Sequence, residues 1–325
     1  MQDVDTLIEI VKEELRNKDY DTFSISIKMN KENEENEEDM RKKGIIGKRP
    51  LKSKINHYIK QKIENETGKK WTLEGDVSLI FDLNKNKCEI KINPIYLLCK
   101  YNKYSREISQ TRWDKYSDSV EGFILEACKE HYKCSNIFLH GAGREDVDVH
   151  MLGEGRLCTI EIVEPQIRKN DFKKLEKKIE EVSEKQIKLN VIKEVGKEFI
   201  WIGKEGKFEK EYRAIVEFEK EVSDETIKRI EEIKHISQRT PTRVEHRRAD
   251  LIRERDIYKI KKVTKEKNNR IITFDIMTQA GAYIKELING DSGRTQPNFS
   301  LIAECNAKCI QLDVAKVHEK VSNWW

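Results

Sequence analysis

The chain has 325 residues, with 37% hydrophobic and 38% charged side chains and a formal net charge of +4. That length supports two or three domains, and the apolar residues are patterned rather than diluted, which excludes a disordered chain. The small net charge names no partner, and no run approaches the roughly 18 apolar residues of a membrane span, which excludes a membrane partner. Seven cysteines, at positions 88, 99, 128, 134, 158, 305 and 309, form no C-x-x-C pair. Odd in number, scattered and without a signal peptide, they predict reduced thiols in a cytoplasmic protein. Cys305 and Cys309 lie one helical turn apart, but two ligands without a second pair read as small buried side chains rather than a metal site.

Val4, Leu7, Ile8, Val11 and Leu15 recur at helical spacing and predict a first helix. Phe23, Ile25, Ile27 and Met29 alternate as in a strand. Residues 31–39 form an acidic loop with nothing to bury. Residues 51–65 predict a helix with Leu51, Ile55, Ile59 and Ile63 on one face. Val77, Leu79 and Phe81 alternate, as do Cys88, Ile90 and Ile92, around the turn-like Asn84-Lys85-Asn86-Lys87. The sum is an αβ…αββ unit, a small α+β domain. In residues 101–113 aromatics interleave with bases and amides, a pattern that suits RNA and equally a solvated linker.

A second domain follows, opening with a helix marked by Val120, Ile124, Leu125 and Cys128. Residues 140–150 form a polar loop between apolar Ile137-Phe138-Leu139 and a strand-like run at 157–163. Gly141 and Gly143 let a ligand approach, and Asp146 is a candidate nucleophile. The alternative makes Asp146 and Asp148 turn or cap carboxylates. Phe172, Leu175, Ile179 and Val182 predict a helix, and strands are expected at 187–195 and 208–218. In the latter Tyr212, Ala214, Val216 and Phe218 share a face. A helix is expected at 224–233 with Asp224 as N-cap.

Residues 238–255 carry six arginines against three acids, in a chain where lysine dominates elsewhere. Arginine suits bidentate phosphate contact, so this stretch predicts nucleic-acid or phosphate binding. Ile272, Phe274 and Ile276 alternate, and Ala280, Tyr283, Ile284, Leu287 and Ile288 fall on one helical face with Lys285 at its flank. Lys285 reads as a surface lysine or as the cation of a reactive carboxylate. Residues 290–295 close that helix in a tight loop, Leu312-Asp313-Val314 is a late apolar segment, and Trp324-Trp325 end the chain, docked or exposed.

Some motifs mislead. Gly290-Asp291-Ser292-Gly293 matches the surroundings of a serine-protease nucleophile, but that mechanism also needs a placed His and Asp. His140-Gly141-Ala142-Gly143 is like a lipase oxyanion loop with no nucleophile elbow to serve. Glu145 and Asp146 are chain neighbours and make a poor glycosidase pair. Walker A and dinucleotide-binding glycine patterns are missing.

Read together, three stretches resemble the archaeal tRNA pseudouridine synthases that act on uridines 54 and 55. They are residues 143–156, residues 238–255, and Thr278 to Leu287 with Gly290-Asp291-Ser292-Gly293-Arg294-Thr295. The resemblance covers roughly residues 114–318. The preceding part resembles, more loosely, that family's THUMP domain, a reader of the tRNA acceptor end, with Gln110-Thr111-Arg112-Trp113 as its best anchor. The fold implied is α+β. Residues 1–113 would be a THUMP-like RNA-binding domain, and residues 114–325 a pseudouridine-synthase domain with a mixed, mainly antiparallel sheet flanked by helices.

The resemblance also implies roles. Asp146 would be the catalytic aspartate, with Lys285 paired to it. Tyr212 would stack on the target base or share in proton removal. Tyr283 would touch substrate, Ile284 and Leu312 would line the pocket, and Arg144, Arg247 and Arg248 would hold RNA. The substrate would be tRNA, bound through its TΨC loop and acceptor end. The reaction breaks N1–C1′, turns the uracil and rejoins it through C5, so no metal or organic cofactor is implied. The aspartate attacks the sugar or abstracts a proton from it, and the base must leave the RNA stack for access. The rival reading is a non-catalytic tRNA-binding protein or chaperone that keeps the fold. Four positions depart from the family pattern: His150 stands for an Arg, Leu157-Cys158 for a Pro-Phe, and Ala282 is smaller than usual. The family's N-terminal cysteine pairs are absent, so the chain is expected to begin in or near the THUMP-like part, with a separate polypeptide as one source of the missing module.

Overall fold

A computed structural model describes residues 2–29, 50–169, 171–201, 206–264 and 270–319, leaving the side chains of Gln2, Asp3 and Arg247 outside the description. The acidic loop at 31–39 and the terminal tryptophans also fall outside it. The chain divides into two compact units: residues 1–96, 125–138 and 161–175, and residues 97–124, 139–160 and 176–325.

The first unit opens with helix α1 (Gln2–Leu15), strand β1 (Thr22–Lys28), helix α2 (Leu51–Thr67) and strands β2 (Lys70–Trp71), β3 (Val77–Asp82) and β4 (Lys87–Ile92). Its sheet runs β2-β1-β3-β4, with β1 parallel to β2 and β3 and a β3–β4 hairpin. The apolar faces read from periodicity meet in one core. Leu7, Ile8 and Val11 of α1 and Ile59 and Ile63 of α2 cover Phe23, Leu79 and Phe81 of the sheet.

Further elements are β5 (Ile95–Lys103), α3 (Val120–Tyr132), β6 (Asn136–Gly141), β7 (Val149–Val163), α4 (Phe172–Val182), β8 (Ile187–Val195) and β9 (Glu209–Phe218). They continue with α5 (Asp224–Glu231), β10 (His235–Arg239), β11 (Ile252–Lys262), β12 (Ile271–Thr278), α6 (Ile284–Asn289), β13 (Thr295–Gln296), α7 (Phe299–Ala303) and β14 (Ala307–His318). The large sheet is mixed, in the order β13-β10-β11-β12-β9-β14-β7-β5-β8, with β6 on β7. At its centre β14 is antiparallel to β9 and parallel to β7. The molecule is α+β, as expected, and among the described residues no helix is long and apolar enough to cross a membrane.

Several elements differ from the expectations. Residues 97–113, expected with the N-terminal domain, belong to the second unit, because β5 pairs within the large sheet. Strand β7 starts at Val149, not 157; Gly153 and Gly155, at φ +60° and +86°, interrupt its alternation. The cap of α5 is Ser223, whose hydroxyl accepts from Thr226 N at 3.1 Å, rather than Asp224. Helix α6 starts only at Ile284, since Gly281 is left-handed and Tyr283 extended. Cys305 follows α7 and Cys309 lies on β14, so they share no helical turn, and both are half-buried. All seven cysteines are free thiols.

Candidate active site

The Asp146 loop joins β6 to β7 and stands on a buried polar network. Glu145 and Arg156 are 0% and 2% exposed at their side chains, with Arg156 Nε 3.0 Å from Glu145 Oε2. The Tyr101 hydroxyl donates toward both Glu145 oxygens at 3.0 Å and accepts from Gln110 Nε2 at 2.7 Å. Gln110 Nε2 also donates to Gly143 O (2.9 Å), and Arg156 Nη1 to Ala142 O (2.9 Å). Gly143 is required here: its φ is +96°, and a Cβ would meet Arg156 Nη1 at 2.8 Å. Lys103, fully buried, donates to the carbonyls of Val147 (2.6 Å), Ile108 (3.1 Å) and Asp146 (3.3 Å). Burial lowers its pKa to about 8, against the opposing charges of Glu145 and Asp148. Beside it Arg106 donates to Asp148 O (2.7 Å) and Leu312 O (3.0 Å) and pairs with Asp313. His150 lies 3.3 Å from both Arg106 and Asp313, and burial with the Arg106 charge lowers its pKa.

This support presents Asp146, 30% exposed, to a cleft of about 290 Å³ that Arg144, Asp148, Arg243 and Lys285 also line. Arg243 Nη1 donates to Asp146 at 2.9 Å, and Lys285 Nζ lies 3.5 Å from it. The closer partner of Lys285 is Asp148, at 2.8 Å to both oxygens. The expected Lys285–Asp146 pair is therefore shared, and Arg243 makes the tighter contact. Burial works to raise the Asp148 pKa, but the Lys285 hydrogen bonds and charge prevail and lower it. Arg243 also donates from Nε to Glu286 (2.7 Å), a carboxylate only 4% exposed. Burial opposes the Arg243 charge; the bonds to Glu286 and the Asp146 charge outweigh it and raise its pKa. Arg243 sits in the 3-10 turn Thr242–Arg247, which Asp291 fixes by accepting from Thr242 N at 2.8 Å. That is the place of the protease-like Gly290-Asp291-Ser292-Gly293 segment: its carboxylate ties down a turn.

Tyr212 lies on β9 opposite Val314 of β14, within electrostatic reach of Asp146 and Arg156. Burial pushes its hydroxyl up to about 12; Arg156 opposes the shift and Asp146 adds to it. The Gln238 side-chain amide clamps the Tyr283 main chain, donating to its carbonyl and accepting from its N–H, each at 2.9 Å, and Arg243 lies 5.9 Å from the Tyr283 ring centroid. Ile284 and Leu312 are buried, and neither they nor Tyr212 and Tyr283 are among the residues that line the cleft. Arg144 lines the cleft, and Arg248 is exposed at the end of the 3-10 turn. Other arginines of the basic stretch hold protein: Arg239 binds Asp250 (2.9 Å), and Arg253 binds Thr240 (2.9 Å) and Leu251 O. Among the described residues no His, Cys, Asp or Glu cluster could hold a metal. Sequence reasoning missed Arg243 as the aspartate's partner, and with it Glu286, Glu145, Arg156 and Lys103. A charge lodged beside apolar Leu157-Cys158 is the one local sign that Arg156 is buried.

The fold and the cleft define an α+β protein that presents a carboxylate between two cations. The family model described as "Pus10, C-terminal" matches residues 96–318. The "tRNA pseudouridine synthase Pus10" of Archaeoglobus fulgidus is 36% identical over 95% of this chain and 90% of its own length. That of Methanosphaera stadtmanae is 36% identical over 92% and 82%. Among solved structures, one described as "Crystal Structure of a Cbf5-Nop10-Gar1 Complex" is similar with a TM-score of 0.38 and 16% identity, over 69% of this chain and 48% of that one. The chain belongs to the Pus10 family.

Proposed function

We propose that this chain isomerises uridine to pseudouridine at position 54, 55 or both in the TΨC loop of tRNA, with Asp146 as the catalytic carboxylate. One observation carries the reading: in a chain of this family, Asp146 faces a cleft with Arg243 at 2.9 Å and Lys285 at 3.5 Å. The cleft approaches the roughly 300 Å³ lower bound of small-ligand sites, room for one extruded nucleoside. Asp146 attacks C1′ or takes a proton from the ribose; N1–C1′ breaks, C5–C1′ forms, C5 loses its proton and N1 ends with one. Substrate and product are isomers, so the reaction consumes no co-reactant. Tyr212 stacks on the uracil or takes part in removing the C5 proton. Arg144 and Arg248, and Arg247 by its place in the chain, supply phosphate contacts. In the same reading the N-terminal unit is a THUMP-like domain that holds the acceptor end.

Asp146→Asn tests it. The variant should bind tRNA like the wild type and lose isomerisation by roughly 10⁴-fold or more, as loss of an essential nucleophile does. Wild-type turnover in the variant removes Asp146 from the chemistry. Tight tRNA binding without turnover in the wild type itself favours the non-catalytic binder.

A further inference from the structure

The motif Gln110-Thr111-Arg112-Trp113, read from the sequence as part of an acceptor-end reader, lies in the second unit and reaches the Asp146 cleft. Residues 109–119 form a pinned projection. Ser109 and Ser119 bridge at its base, and Val120 N and Glu121 N donate to the carbonyls of Ser109 (2.9 Å) and Gln110 (3.0 Å). The Glu121 carboxylate accepts from Arg112 N (3.0 Å), Arg112 Nε (3.2 Å) and Leu139 N (3.1 Å). At the tip Tyr116 N donates to Trp113 O at 3.0 Å, closing a four-residue turn that carries both rings. Their centroids are 5.7 Å apart at 60°, a tilted contact rather than a closed stack. Trp113 is 46% exposed, and both rings line the cleft with Asp146 and Arg144. Lys115 Nζ lies 5.8 and 5.9 Å from the two ring centroids. Arg144 is exposed, without a carboxylate partner among the described residues.

The anchored tip holds an exposed indole beside a second ring at the cleft, two flat faces of the kind that nucleobases stack on. We infer that Trp113 and Tyr116 form a stacking platform for an unpaired nucleobase next to the reacting uridine, with Arg144 and Lys115 holding the phosphates on either side. The inference rests on the proposed function. The cleft has room for about one nucleoside, so the strand that delivers a uridine to Asp146 continues past its walls, of which Trp113 and Tyr116 are part. Every nucleobase offers a flat face, so such a platform binds the strand without reading its sequence.

The test is a cycle between protein and RNA. A TΨC stem-loop RNA is made with an abasic site at each nucleotide flanking the target in turn. Each RNA is titrated against the full chain carrying Asp146→Asn, with Trp113 intact or as Trp113→Ala. At one flanking position the abasic site should weaken binding by roughly 5- to 150-fold with Trp113 intact, the range for loss of one base–aromatic stack. The same abasic site should change little with Trp113→Ala, and Trp113→Phe should keep most of the sensitivity. Equal losses in both proteins at every flanking position overturn the platform. Should Trp113→Ala not fold, Trp113→Leu takes its place. A wild-type chain that shows the coupling but makes no pseudouridine refutes the proposed chemistry and leaves the platform standing. A chain that binds none of these RNAs refutes both.

Discussion

Glu145→Gln removes one charge from the floor of the Asp146 loop and almost no volume. Glu145 is fully buried and faces Arg156, 2% exposed, at 3.0 Å. Glutamine still accepts from the Tyr101 hydroxyl, but Arg156 is left with the Ala142 carbonyl and with the like charge of buried Lys210. Burial alone disfavours the Arg156 charge, and Glu145 is what outweighs it. Breaking one half of a buried pair costs about 3–5 kcal/mol. For a unit of about 200 residues, at roughly 2–4 °C per kcal/mol, the melting temperature should fall by about 6–20 °C. Adding Arg156→Met should recover part of the loss, because an apolar replacement of a buried pair is often neutral. Thermal melts followed by circular dichroism read both effects. A fall under about 2 °C for Glu145→Gln, or no recovery in the double variant, refutes the idea that this pair carries the loop.

Lys103 makes stability depend on pH. Its folded-state pKa of about 8 lies below the ordinary 10.5, so the unfolded chain holds the extra proton between those values. Stability relative to Lys103→Met should therefore rise with pH across that window by roughly 3 kcal/mol at most, and denaturant melts at about pH 7.5, about pH 9 and about pH 10 should show it; a flat or falling difference refutes the assignment. Arg243→Lys cannot bridge Asp146 and Glu286 together, so kcat should drop by roughly 10²-fold with little change in tRNA affinity. A rate within twofold, roughly, of wild type contradicts the bridging role. Arg248→Ala should weaken tRNA binding and flatten its salt dependence by about one counterion. An unchanged salt slope places this arginine away from RNA.

Much of the fold was legible because burial leaves a period in the sequence. The faces of α1, α2, β3 and β9 were readable from residues such as Ile8, Ile63, Leu79 and Val216, all essentially inaccessible. Where glycine breaks the period, as at Gly153 and Gly155 in β7, the strand start was lost. The Asp146 loop was legible as small residues beside acids. Its partners were not: nothing local marks which of six arginines in 238–255 turns toward a carboxylate 97 residues away in the chain. Lys285 was readable as a cation near the loop, but its preference for Asp148 over Asp146 is set by side-chain reach.

The most direct measurement is to incubate the wild-type chain and Asp146→Asn with an unmodified tRNA transcript and map pseudouridine by nucleotide position. The account predicts product at 54, 55 or both with the wild type and none with the variant, at equal tRNA binding. Product that persists in the variant, or that appears only outside the TΨC loop, contradicts it.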